Sequence, residues 1–165
     1  DGAWSAEHAV DSALLRRLLD DPYLQRHGPR STGPEHFNLA WLRGHLAGER
    51  PPGAVQATLC EFTASCIAAS LREARPGPDA VFVCGGGARN TDLMRRLHRH
   101  LDAQGARLGT TDELGLAAEW VEACAFAWLA QRTIAGLAGN APTATGAAGP
   151  RVLGGIYPAS VAGAG

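Results

Sequence analysis

Lysine is absent from this 165-residue sequence: all 15 basic residues are arginines, set against 16 acidic ones. That absence excludes the G-x-x-x-x-G-K-[ST] loop, whose lysine reaches the terminal phosphates of a nucleotide. A formal net charge of −1 gives no basic field of the kind that draws a protein onto nucleic acid, so no nucleic-acid partner is expected. The arginines Arg16, Arg17, Arg95, Arg96 and Arg99 recur at helical spacings beside apolar residues and read as solvated helix faces. Cysteine is scarce, and Cys60, Cys66, Cys84 and Cys124 form neither a C-x-x-C pair nor a Cys/His spacing suited to zinc. Buried free thiols in a reducing cytoplasm are expected, and no metal cluster is assigned. His98 and His100 lie two apart on a helical pattern and point to different faces. Uninterrupted apolar runs of about 20 residues are missing, as is a basic-then-apolar leader, so neither a membrane span nor a secretory signal is expected. The first residue is Asp1, which fits a processed protein or a fragment.

Chain length suggests one domain with a hydrophobic core. "DSALLRRLLDDP" carries Leu14, Leu15, Leu18 and Leu19 at helical spacing before Pro22 and predicts a short amphipathic helix. The loop that follows is rich in Pro, Gly, Ser and Thr, with Phe37, Leu39, Trp41 and Leu42 as anchors and a brief helix over 38–47. Residues 54–74 form the longest helical pattern, with an apolar stripe of Val55, Leu59, Phe62, Cys66, Ala69 and Leu71. "DAVFVCGGG" reads as a buried strand running into a turn, and Asn90 as the N-cap of the helix "TDLMRRLHRHLDAQ". A second strand fits "ARLGTTDELGL", and "AAEWVEACAFAWLAQRTIAG" predicts the last strong helix. The Gly- and Ala-rich tail has Val152, Leu153, Ile156 and Tyr157 as anchors, leaving residues 161–165 frayed. Alternating helices and strands of this kind make an α/β domain with helices packed on a small sheet.

Four stretches are candidates for chemistry. Gly85-Gly86-Gly87 resembles a dinucleotide fingerprint only in its G-x-G part, because the sixth position is Asn90. A strand-to-helix turn does not need three glycines, which favours close approach of a flat or phosphate-bearing ligand, the alternative being a turn without one. Glu122 is the only charged residue between Glu119 and Arg132, on a helix apolar almost all round. An unpaired buried carboxylate is costly, so it either meets a structural partner or faces a cleft where it contacts a ligand. "RSTGPE" offers Arg30, Ser31, Thr32 and Gly33 for phosphate or hydroxyl recognition, a composition also common in plain loops. Thr110 and Glu113 have capping-box spacing, which a helix start explains.

Five segments taken in order, "STGPEHFNL", "VFVCGGGARNTDLM", "TTDELGL", "EWVEACAFAWLAQRTIAG" and "GNAPTATGAAGPRVLGGIYPA", resemble the C-terminal part of the anhydro-N-acetylmuramic acid kinases over residues 1–160. The resemblance implies an actin-like ATPase fold, ribonuclease H-like, with this chain as the nucleotide- and sugar-binding half of a two-domain enzyme. It implies an ATP- and Mg2+-dependent cytoplasmic kinase of peptidoglycan recycling that opens a 1,6-anhydro sugar with water and phosphorylates its 6-hydroxyl. Gly85, Gly86, Gly87 and Asn90 are then expected at the adenosine, Arg30 to Gly33 in a substrate or phosphate loop, and Glu122 at the sugar and attacking water. Homodimerisation comes with the resemblance, while the lack of a long apolar run leaves no membrane partner expected. The departures are Arg30 where the family has lysine, Pro34 where it has arginine, and the missing "DTGPGN"-type segment with its catalytic aspartate. That last departure makes the isolated chain inactive by expectation and keeps two other readings in play: a non-catalytic nucleotide- or muropeptide-binding remnant, and another sugar kinase of the same superfamily.

Overall fold

In the computed structural model, which describes residues 1–28, 32–74 and 76–158, helices start where polar side chains take up free backbone amides. A single turn, α1 (Ala3–Ala6), precedes α2 (Ser12–Leu19). The Asp11 carboxylate caps α2 by accepting hydrogen bonds from Ala13 N and Leu14 N, both at 2.9 Å. Asn38 does the same for α3 (Leu39–His45) through Trp41 N at 3.0 Å. Proline replaces a polar cap at the start of α4 (Pro52–Glu73), where the missing N–H has no helical partner to lose. Strand β1 (Ala80–Val83) then leads through the glycine turn to α5 (Thr91–Asp102) and to β2 (Arg107–Thr110). The two strands pair in parallel, Val81 opposite Leu108 and Phe82 opposite Gly109, with α5 as the crossover that parallel pairing requires.

Where length suggests one domain, the described residues gather into two compact units: Asp1–His27 with Thr32–Val121, and Gly28 with the chain from Glu122 onward. In the first unit α4 is the spine. One side of it, through Phe62, meets Leu14 and Leu18 of α2, with Phe37, Trp41 and Leu42 packed around them. Another side, through Ala64 and Leu71, meets Leu97 and Leu101 of α5 and the strand residues Val81, Val83 and Leu108. The expected single stripe is thus divided between two partners. Each of the fully buried leucines, Leu14, Leu18, Leu97 and Leu101, contributes about 1.5–3 kcal/mol by leaving water. Among the described residues one helix, α4, is long and apolar enough to cross a membrane by length and composition alone, and it packs on α1, α2 and α5.

Arg96 also departs from expectation. Rather than lying on a solvated face it is 4% exposed, donating from Nε to Asp92 at 2.9 Å and from Nη1 to Glu61 at 2.8 Å. Glu61 also bonds His100 Nε2 at 2.7 Å, and Arg95 pairs with Asp92. Burial alone would raise the Asp92 carboxyl, but hydrogen bonds from Arg96, Ser5 and Arg95 and the charge of Arg96 outweigh it and hold it at about 2, below the ordinary 3.8. Glu61 is held low in the same way, burial being outweighed by Arg96 and His100.

The second unit holds α6 (Val121–Ile134), apart from Val121, and the single turn α7 (Pro142–Thr145). Contrary to the expected buried thiols, Cys84 and Cys124 are exposed, while Cys60 is buried and Cys66 half-buried. The tail is tied down by a backbone hydrogen bond and by the Asn140 side chain, while the expected anchors stay largely exposed. Gly139 N donates to Arg151 O at 3.0 Å and Asn140 Nδ2 to Gly149 O at 3.0 Å, whereas Val152, Leu153, Ile156 and Tyr157 stay exposed. The predicted frayed end, 161–165, lies outside the described residues.

Arg96→Ala leaves one buried and one partly buried carboxylate without their shared cation and is expected to cost about 3–5 kcal/mol, read from urea denaturation midpoints. Because the folded Asp92 carboxyl titrates at about 2 and an unperturbed one near 3.8, its contribution is complete above that higher value and disappears as pH falls through about 2. Thermal melts between pH 5 and pH 2 should therefore fall less steeply in Asp92→Asn than in the unmodified chain, from a lower starting point.

Candidate functional site

Three consecutive glycines end β1, and each answers differently to the question of why it is a glycine. Gly85 has φ 72° and ψ −167°, a backbone region that essentially only glycine occupies. Its N–H donates to Ala118 O at 2.7 Å, which fixes the entry to the turn. Gly86 opens a short 3-10 turn, Gly86–Arg89, and neither it nor Gly87 has a positive φ. A Cβ placed on Gly85 or Gly86 would meet nothing within 4 Å, and one on Gly87 only Leu93 Cδ2 at 3.7 Å. Conformation therefore explains Gly85, but neither conformation nor packing demands glycine at Gly86 or Gly87. What their bareness provides is open backbone against which a flat group can lie. Past the turn Asn90, as predicted, caps α5, its side chain accepting from Leu93 N at 3.0 Å. An ion pair between Arg89 and Glu119 closes the outer edge.

The loop "RSTGPE" is described from Thr32 on; Arg30 and Ser31 lie outside the described residues. Gly33 O accepts from His36 N at 3.1 Å and Phe37 N at 3.3 Å, folding the loop into a turn. Asp21, 5% exposed, secures its base by accepting from Trp41 Nε1 at 2.8 Å and Tyr23 N at 2.8 Å, with His36 Nε2 at 3.2 Å. Burial pushes the Asp21 carboxyl up, but these hydrogen bonds outweigh it and leave it below its ordinary value. Thr32 and Gly33 belong to the same unit as the glycine turn but to a separate loop.

Glu122 is exposed, in the second unit, so the cost of burying a carboxylate does not bear on it. Its neighbours on α6 are exposed as well, Phe126 at 71% and Trp128 at 53%. An apolar groove of about 450 Å³ runs between α6 and the tail, lined by Phe126, Leu129, Ile134, Leu153 and Ile156 among others. Glu61 carries the same sequence signal, as the only charged residue from Pro51 to Leu71, and there a structural partner is found: it is partly buried against Arg96 and His100. Thr110 and Glu113 form the predicted capping box. Among the described residues no three His, Cys, Asp or Glu side chains converge in a way that would hold a metal ion.

The family model described as anhydro-N-acetylmuramic acid kinase matches residues 1–159. The chain is 52% identical over 161 residues to the anhydro-N-acetylmuramic acid kinase of Chromohalobacter salexigens, covering 95% of the chain and 43% of that protein. To the protein of the same name from Pseudomonas paraeruginosa it is 52% identical over 161 residues, covering 96% and 44%. To that of Nitrosospira multiformis it is 45% identical over 159 residues, covering 96% and 43%. It thus spans less than half the length of these relatives. With nearly the whole chain matched by one family, and an ordered α/β unit presenting the glycine turn, the chain belongs to the anhydro-N-acetylmuramic acid kinase family.

Proposed function

We propose that the chain is the nucleotide- and sugar-facing part of a cytoplasmic kinase of 1,6-anhydro-N-acetylmuramic acid in peptidoglycan recycling, with the actin-like ATPase, ribonuclease H-like fold. The observation that carries the nucleotide assignment is the open backbone of Gly86 and Gly87, which no local requirement explains. On this reading the adenosine of ATP lies against Gly85, Gly86 and Gly87, and Asn90, at the start of α5, borders it. Family membership supplies the reaction class.

Bound ATP supplies the phosphoryl group. Water adds at the anomeric carbon and gives up a proton to a base, the bond from that carbon to O6 breaks, and O6 takes the γ-phosphoryl with ADP leaving. Glu122 is assigned to the sugar and the attacking water, where its exposure leaves it accessible to a substrate. Thr32 and Gly33, with Arg30 and Ser31, are assigned to a loop that receives the phosphate or a sugar hydroxyl. The turn held by Asp21, His36 and Trp41 gives the described end of that loop, from Thr32 on, a fixed base. Mg2+ would enter with the ATP, held largely by its phosphates and by water, which does not require an all-protein cage.

The chain alone is read as inactive. A helix apolar all round is ordinarily buried, yet most of α6 is exposed, and the relatives are more than twice as long. Both facts support a larger enzyme, homodimeric by family expectation, of which this is one part.

Titration calorimetry with magnesium-ATP tests the nucleotide assignment. Gly86→Val adds its side chain to open space, so its folding stability should stay within about 0.5 kcal/mol of the parent while ATP binding is lost. Gly85→Ala is the contrasting variant, expected to lose about 1–3 kcal/mol of stability because its backbone region is closed to alanine. Undiminished binding by Gly86→Val, or no binding by a chain shown to be folded, would remove the nucleotide from these glycines.

A further inference from the structure

The glycine turn is gripped at its exit by the first two residues of the chain. Asp1 O accepts two hydrogen bonds from one residue, Thr91 N at 3.1 Å and Thr91 Oγ1 at 3.0 Å. Next to it Gly2 has φ 87°, and a Cβ at that position would collide with Asn90 Oδ1, the atom that caps α5. Asn90 N in turn donates to Gly87 O at 3.1 Å, so the contact passes directly into the glycines. The other face of Gly2 is fixed too: its carbonyl accepts from Ser5 Oγ at 2.9 Å and Ala6 N at 3.1 Å, and Ser5 is 2% exposed. At the entry, Gly85 N is held by Ala118. The turn is therefore braced at both ends by segments distant in sequence, while its middle stays open.

We infer that Asp1, Gly2 and Thr91 are positioning residues that set the geometry of the Gly85–Asn90 turn and, through it, nucleotide affinity. The nucleotide part rests on the function proposed above; the bracing part does not. Thr91 and the Asp1–Gly2 segment touch no assigned ligand and act only through Asn90 and the turn. Thr91→Val removes the hydroxyl donor at nearly constant shape, and Gly2→Ala forces Asn90 Oδ1 out of place while leaving Thr91 intact. Both changes lead to one outcome by independent routes: a turn whose exit is no longer fixed.

Amide hydrogen exchange on the ligand-free chain, read beside ATP titration of the same samples, tests this. In Thr91→Val and in Gly2→Ala, exchange at Ala88, Asn90 and Leu93, whose amides are bonded to Gly85 O, Gly87 O and Asn90 Oδ1, should accelerate while Leu97 and Leu101 keep their protection. The ATP dissociation constant should rise about five- to tenfold, the scale of one lost hydrogen bond, and Thr91→Ser should restore both readouts. Unchanged exchange at the turn in both variants would overturn the bracing whatever the titration gives. Faster exchange with an unaltered dissociation constant would overturn the link to affinity. Faster exchange in a chain whose unmodified form does not bind ATP would instead uphold the bracing and overturn the nucleotide reading.

Discussion

Arg96 lies between two carboxylates in the interior of the first unit, and the arrangement of α4, α5 and the turn before α5 follows from it. A guanidinium that is 4% exposed needs its charge and its donors matched, and Asp92, one turn earlier on α5, and Glu61, midway along α4, do so. His100, one turn later, bonds the other oxygen of Glu61. Asp92, Arg96 and His100 thus form a row along one face of α5 that can meet Glu61 in a single register. Apolar packing of Leu97 and Leu101 supplies most of the driving force but little register, since one leucine substitutes readily for another against a flat helix face.

This register matters for the site because α5 begins where the glycine turn ends. Sliding α5 along α4 would shift Asn90 and with it the carbonyl and amide positions of Gly85–Gly87. The same helix end receives Asp1, whose carbonyl takes both donors of Thr91. A bare backbone surface is useful to a ligand only if it is stiff, because glycine by itself is the most mobile residue. Here stiffness comes from outside the turn: the ionic row beneath α5, Ala118 at the entry and Asp1 at the exit.

Local chemistry determined much of this from sequence. The caps at Asp11, Asn38 and Asn90 lie where side-chain acceptors precede apolar periodicity, β1 lies where apolar and β-branched residues run toward glycine, and β2 lies inside the glycine-punctuated "ARLGTTDELGL". The ordered segments from "STGPEHFNL" to the tail also sufficed for the family, because they extend over nearly the whole chain. What periodicity could not decide was which lone charges are buried. Glu61 and Glu122 look alike in sequence, one carboxylate on a long apolar helix, but only Glu61 has an arginine brought to it by a neighbouring helix. Arg96 looked like part of a solvated face for the same reason, its partner on α4 being 35 residues away. The grip of Asp1 on Thr91 spans 90 residues. Sequence by itself settled the elements, their caps and the family, since these depend on neighbours within a few positions or on a pattern along the whole chain. Tertiary structure alone decided the burial of charge and the bracing of the glycine turn, because both are set by side chains and carbonyls that meet only after the helices have packed.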